Sequence, residues 1–242
     1  ERPSHHSEDK MRIIPCTQYS AEWWAARRGI PPASQFDRIL TPGGKHSAQA
    51  EAYAAELIAD LYDPHYPASK GHGQSDAMRN GMAMEPEARA WYAMDQEVEV
   101  TEVGFITNDD GTFGCSPDGL VAGGCPFAQQ RWALEIKCPT LKVHTTYRLG
   151  GILPADHRPQ VHSSLAASGL PWWDFLSYPV PYTTRIPPFR IRVRPDEYTA
   201  KCAQAIKDFN DLLQTMKGKL THENSHDRRP QVQAPIPGPD PI

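Results

Sequence analysis

Across residues 47–61 the apolar side chains Ala50, Tyr53, Ala54, Leu57, Ile58 and Leu61 recur at steps of three and four, and Pro64 follows. Such steps line up on one side of a helix, so an amphipathic helix is predicted here. A second helical pattern covers 76–94 and carries Met78, Met82, Glu85, Arg89 and Tyr92 at related steps, with Pro86 expected to disturb or restart it. The period then shortens. Val98, Val100, Val103 and Ile106 stand among Glu and Thr residues, and Asp109-Asp110-Gly111 supplies turn chemistry, which predicts a hairpin. Segments 114–121 and 132–138 read as neighbouring strands across a Gly-Gly-Cys-Pro loop, and 176–180 and 189–193 as two more. A final helix over 196–216 places Tyr198, Cys202, Ala205, Ile206, Phe209, Leu212, Leu213 and Met216 on one face. This order of elements predicts an α/β or α+β layer around a mixed sheet.

Composition narrows the class. With 242 residues, 39% hydrophobic and 22% charged, the chain can bury a sizeable core and is neither wholly disordered nor provided with an apolar run that would span a membrane. Residues 1–10 read as a leader or tag remnant ahead of Met11, 11–220 as one domain, and 221–242 as a proline-rich C-terminal tail, with no internal repeat. The five cysteines form no CxxC pair, which fits free thiols in a reducing cytoplasm. A net charge of −4 is not the basic footprint of a generic DNA-binding domain, so any nucleic-acid affinity must come from a local field.

Chemistry concentrates in two short stretches. Asp118 follows Pro117 and precedes a turn glycine in CSPDGLV, while Glu135 and Lys137 alternate with apolar residues in ALEIKCPT. Residues two apart in a strand share a face, so Trp132, Leu134, Ile136 and Cys138 are expected toward the core and Glu135 with Lys137 toward a cleft. If the strand of Asp118 adjoins that of Glu135, two carboxylates and an ammonium converge. Phosphodiester hydrolysis needs such a set, because hard Mg²⁺ takes oxygen ligands and leaves positions for water and phosphate. A PD dipeptide and an ExK tripeptide are weak signals by themselves, since both occur as turn aspartates and solvated strand edges.

The wider pattern carries more. Trp24-Ala-Ala-Arg27-Arg28-Gly29 with Ala33-Ser34, then Gly81-Met-Ala-Met-Glu85, Cys115-Ser116-Pro117-Asp118-Gly119-Leu120 and Leu134-Glu135-Ile136-Lys137-Cys138-Pro139 follow in order. In these motifs the chain resembles the phage lambda exonuclease family, also called YqaJ-type viral recombinases, within the PD-(D/E)xK nucleases. Where that family has a helix carrying Q-x-Q, this chain has Gln160 and then His162.

The resemblance implies an α/β fold with a restriction-endonuclease-like core, a central mixed sheet flanked by helices. It implies a Mg²⁺-dependent 5′ to 3′ exonuclease on double-stranded DNA that releases mononucleotides and leaves 3′ single strands for recombination. Its catalytic set here is Asp118, Glu135, Lys137, Glu85 and Gln160, with His162 as an alternative donor. Metal ligands are Asp118, Glu135, Ile136 and Glu85, for two ions per site with Mn²⁺ able to substitute, and a 5′-phosphate pocket is formed by Arg27, Ser34, Ser116 and Lys137. A homotrimeric ring around DNA ends, a single-strand annealing partner, and the cytoplasm of a bacterial host complete the expectation; a ring would also offset the acidic charge by retaining DNA topologically. Rival readings are an endonuclease on the same core and a DNA-end-binding module without turnover.

Several residues have plainer readings. Trp23 and Trp24 are more often core or interface anchors than a wedge at a duplex fork, and Trp172 and Trp173 are expected to pack or join a subunit interface. His144, His157 and His162 lack the spacing of a zinc site. Arg190, Arg192 and Arg194 describe either a solvated strand face or a DNA channel lining.

Overall fold

The structure, a computed structural model, describes residues 11–68, 76–123 and 130–226. Its centre is a five-stranded mixed sheet in the order β2 (Glu99–Thr101), β5 (Gly119–Ala122), β6 (Arg131–Lys137), β7 (Trp173–Ser177) and β8 (Phe189–Val193). Only the β6–β7 pair is parallel. A parallel pair needs a crossover, and the chain makes it through α4 (Leu141–Gly150) and α5 (Arg158–Ser168). Three short strands, β1 (Met11–Ile14), β3 (Phe105–Asn108) and β4 (Gly114–Cys115), form a second sheet in the order β1-β3-β4.

Side-chain alternation along β6 divides the core. Trp132, Leu134 and Ile136 pack with Ala88, Tyr92, Leu176 and Tyr178, burying one side of α3 (Asp76–Gln96) against the sheet. Ala133 faces the other way, into the larger cluster with Val161, Leu165, Trp173, Phe175, α2 (Ala50–Tyr62) and α6 (Glu197–His226). Burying a large apolar side chain contributes roughly 2–3 kcal/mol, so a strand buried on both faces is a rigid platform. The acid and lysine of β6 are carried on that platform.

Several expectations change. Helix α3 runs through Pro86 without a break, since the packing of Ala88 and Tyr92 compensates for one missing amide. The strand expected from Val98 to Ile106 is two strands in different sheets, divided at Gly104, where a Cβ would collide with the main chain of Cys16. The segment 114–121 divides as well, into β4 and β5, at Ser116-Pro117-Asp118. Strand β7 begins at Trp173 rather than Leu176, because Asp174, which interrupts the apolar pattern, is fully buried and paired with Arg190 and Arg192 at 3.4 and 2.9 Å. Trp172 and Trp173 are accordingly core residues, and Arg192 and Arg194 lie over the Trp172 ring at 4.4 and 5.2 Å. Arg190 and Arg192 therefore neutralise a buried acid, while Arg192 and Arg194 stay exposed on the strand face.

Helix α6 extends to His226, ten residues past the expected Met216, because no proline interrupts it and one glycine is tolerated. Residues 221–226, expected in the tail, are its last turns. The expected leader, 1–10, and the rest of the tail, 227–242, lie outside the described residues. Among the described residues no helix is long and apolar enough to cross a membrane.

Candidate active site

Asp118 stands where β4 has ended and β5 has yet to begin. Its amide donates to the Leu134 carbonyl at 2.9 Å, and its carboxylate Oδ2 accepts from the Ile136 amide at 2.5 Å. Those two bonds continue the β5–β6 pairing, in which Gly119 opposes Leu134, and so place Asp118 beside Glu135. Gly119 has to be glycine for this turn to close, since a Cβ would collide with Val100 Cγ1 on β2.

On β6, Glu135 and Lys137 share the face opposite Leu134 and Ile136. The Lys137 ammonium lies 2.6 Å from Glu135 Oε1, and the same oxygen accepts from Gln160 Nε2 on α5 at 2.6 Å. Glu135 is only 3% exposed, so both donors are needed to hold a buried carboxylate. Glu85 lines the same cleft from α3, and that helix is fastened to the turn by Arg89, which donates from Nε to the Asp118 carbonyl at 2.7 Å and pairs with Glu102 at 2.6 Å.

The electrostatics follow from crowding. Burial pushes the Asp118 carboxyl well above the carboxylate range, and Glu135 and Glu85 push it further, against Lys137 and the Ile136 amide. Glu85 is also raised, chiefly by burial, with Glu135 and Glu102 adding and Lys137 and Arg89 opposing. Burial by itself would lower Lys137, but Glu135 and Asp118 outweigh it and hold the ammonium above the usual lysine range. Three carboxylates in mutual repulsion are an all-oxygen donor set that a hard divalent cation relieves, so the residues present fit the expected metal. As the side chains stand, among the described residues no group of three or more His, Cys, Asp and Glu is drawn into a coordination sphere. Lys137 and Gln160 hold Glu135 Oε1, and the Ile136 amide holds Asp118 Oδ2.

A second group lies along the same cleft, whose volume is about 1090 Å³. The Arg27 guanidinium, on α1 (Ala21–Arg27), lies 4.0 Å over the Trp23 ring and donates to Ser116 Oγ at 3.2 Å. Ser116 Oγ also accepts from Trp23 Nε1 at 2.9 Å. Trp23 is buried, so it is an anchor for this corner rather than a wedge. Ser34 is exposed and lines the cleft nearby.

The structure thus brings together Glu85, Asp118, Glu135, Ile136, Lys137, Gln160, Arg27, Ser34 and Ser116 around one cleft. It does not bring His162. Two residues along a helix is more than half a turn, so His162 leaves α5 on the side away from Gln160, bonds Thr199 Oγ1 at 2.7 Å and packs on Tyr198 of α6. His144 is likewise committed elsewhere, to Ser177 Oγ at 2.8 Å. The sequence reading gave no role to Arg89 or to Gln18, which bridges the Val103 and Pro117 carbonyls at 3.0 and 2.9 Å. Arg89 stands one helical turn beyond Glu85, a spacing that suggests a shared face; nothing local marks Gln18.

A model of the YqaJ-like viral recombinase domain matches residues 22–171, a span that includes all nine residues gathered around the cleft. No curated protein matches the chain. Among solved structures, the alkaline exonuclease LHK-Exo from Laribacter hongkongensis is similar at 28% identity, over 85% of this chain and 98% of its own, with a TM-score of 0.70. A structure of LHK-Exo in complex with dAMP is similar at 29% identity, over 85% and 98%, with a TM-score of 0.71. A phage-related exonuclease from Haemophilus somnus 129PT, at 10% identity over 79% and 96% with a TM-score of 0.54, is a likeness of fold alone. The α/β architecture, with its mixed sheet flanked by helices, is the restriction-endonuclease-like core.

Proposed function

The chain belongs to the YqaJ-like viral recombinase family, and from that premise we propose that it is a Mg²⁺-dependent exonuclease that degrades double-stranded DNA from 5′ to 3′. The observation that carries this reading is the meeting of Asp118, Glu135 and Lys137 on adjoining segments, beside Glu85 and in one cleft with Arg27 and Ser116. Asp118, Glu135, Glu85 and the Ile136 carbonyl would hold one or two ions, which when bound supply a water of lowered pKa and positive charge beside the scissile phosphate.

The chain's own residues do the rest. Lys137, 2.6 Å from Glu135, is placed to orient or help deprotonate the attacking water and to donate to a phosphate oxygen. Charge stabilisation of that kind is worth roughly 3 kcal/mol. Gln160 orients the Glu135 carboxylate. Arg27, Ser116, Ser34 and Lys137 form the pocket for a 5′-terminal phosphate, with Arg27 prevented from swinging by its stack on Trp23. A pocket that accepts only a chain end makes the enzyme an exonuclease. The dAMP complex of the relative supports release of mononucleotides, and the remaining 3′ single strand would pass to an annealing protein for recombination.

The test offers linear 5′-phosphorylated duplex, linear 5′-hydroxyl duplex and a closed circle, each with Mg²⁺ or EDTA. Loss of the first with Mg²⁺ only, slower loss of the second and survival of the circle are expected. Cutting of the circle would overturn the end pocket in favour of an endonuclease, and unchanged linear DNA would leave only end binding.

A further inference from the structure

Tyr19, immediately before the N-cap of α1, has a φ of 67°. That left-handed conformation suits glycine and is strained for a bulky side chain. Both neighbours hold it in place. Gln18 ties the segment to the Pro117 carbonyl, next to Asp118, and Ser20 caps α1 by accepting from the Trp23 amide at 3.2 Å. Glycine would make this turn without strain, so the backbone gives no reason for a phenol here.

The side chain supplies one. Tyr19 is 47% exposed and lines the cleft. Glu85 and Asp118 line that same cleft. The Tyr19 ring leans on Trp23, centroid to centroid 5.0 Å, and the Trp23 ring carries Arg27 at 4.0 Å. Tyr19, its ring tilted 43° to that of Trp23, and Arg27 are therefore joined through the Trp23 ring. The charged end of this group meets Ser116, and its aromatic end opens into the cleft.

We propose that Tyr19 binds the nucleobase of the 5′-terminal nucleotide by stacking, while Arg27 and Ser116 hold that nucleotide's phosphate. The inference rests on the reading of this cleft as a nuclease site for chain ends. A stack recognises a π-face and no particular hydrogen-bond pattern, so any of the four bases is accepted and a missing base is not. Strain at Tyr19 is then maintained because it presents a ring to the substrate.

The experiment uses the full chain, with Tyr19→Phe and Tyr19→Gly variants, on 5′-phosphorylated duplexes whose terminal nucleotide is ordinary, abasic or 2-aminopurine. The wild type and Tyr19→Phe are expected to prefer the base-bearing end by about tenfold in KM, as for one stacked base, and to quench the 2-aminopurine on binding. Tyr19→Gly should lose both the preference and the quench, with a Tm no lower than that of the wild type. Retention of either signal in Tyr19→Gly overturns the proposal. So does their loss in Tyr19→Phe, which would assign the effect to the hydroxyl, or a sharp fall in Tm in Tyr19→Gly, which would make the ring a structural element. Failure of the exonuclease reading registers separately, as wild-type protein that leaves linear duplex intact with Mg²⁺. The quench is measured in EDTA and decides the stacking contact in either case.

Discussion

At Asp118, burial and two neighbouring acids make the ionised form costly in the absence of a cation. A carboxyl whose folded pKa is raised binds its proton more tightly folded than unfolded. Stability is therefore lost as pH rises from the ordinary aspartate range, about 3.9, toward the raised folded value. Asp118→Asn removes that loss and keeps an acceptor for the Ile136 amide. It should raise metal-free stability at pH 7 by roughly 0.5–2 kcal/mol and abolish turnover, with thermal melts in EDTA across pH as the measurement. A variant less stable than the wild type at pH 7 would contradict this electrostatic account. Lys137 differs, because its partner Glu135 is buried. Lys137→Ala should lower kcat by about 10²–10³-fold and also weaken DNA-end binding, since it removes a phosphate donor and leaves Glu135 without its ammonium partner, and unchanged rates would remove Lys137 from the chemistry. The ExK spacing predicted the shared face of this pair. What no local pattern revealed is that Gln160, from another element, also donates to the same Glu135 oxygen.

Among the elements, α3 matters most to the site because it delivers Glu85, and four hydrogen bonds fix its position. Tyr92 donates to Asp174 Oδ2 at 2.7 Å and accepts from Trp132 Nε1 at 2.9 Å, Tyr178 donates to Glu87 at 2.6 Å, and Arg89 reaches the Asp118 carbonyl. Tyr92→Phe leaves the buried Trp132 donor and part of Asp174 unsatisfied, so a loss of roughly 1–3 kcal/mol is expected in urea denaturation. Arg89→Gln is expected to act on activity more than on stability, lowering kcat with a smaller shift in midpoint than Tyr92→Phe. Equal stability losses without a kinetic effect would make Arg89 an ordinary surface pair. The helix itself was readable from its apolar steps. Its docking was not, since the buried acid of β7 that anchors it reads in isolation as a break in a strand.

For the whole molecule, a net charge of −4 gives weak non-specific attraction to DNA, and the homotrimeric ring that the family resemblance implies would answer this by topological retention. Sedimentation should then give a mass near three times 27.0 kDa. Digestion of long linear duplex should remain processive on raising salt to concentrations that prevent fresh loading. A monomeric mass together with processive digestion would remove the ring from the explanation. Helix α6 runs on to His226, past the expected domain end at residue 220.

The sequence by itself determined what depends on near neighbours along the chain: the helical stripes, the alternation that puts Glu135 and Lys137 on one face, the turn at Asp118, and the ordered motifs that resemble a nuclease family. Tertiary structure decided which distant segments meet. It set the β5–β6 register that brings Asp118 to Glu135, the split of one apparent strand between two sheets, the departure of His162 into the α5–α6 interface and the strained backbone of Tyr19. Periodicity is a property of consecutive residues, whereas register and docking are settled by the apolar surface that remote segments bury together and by the buried polar groups they must satisfy between them.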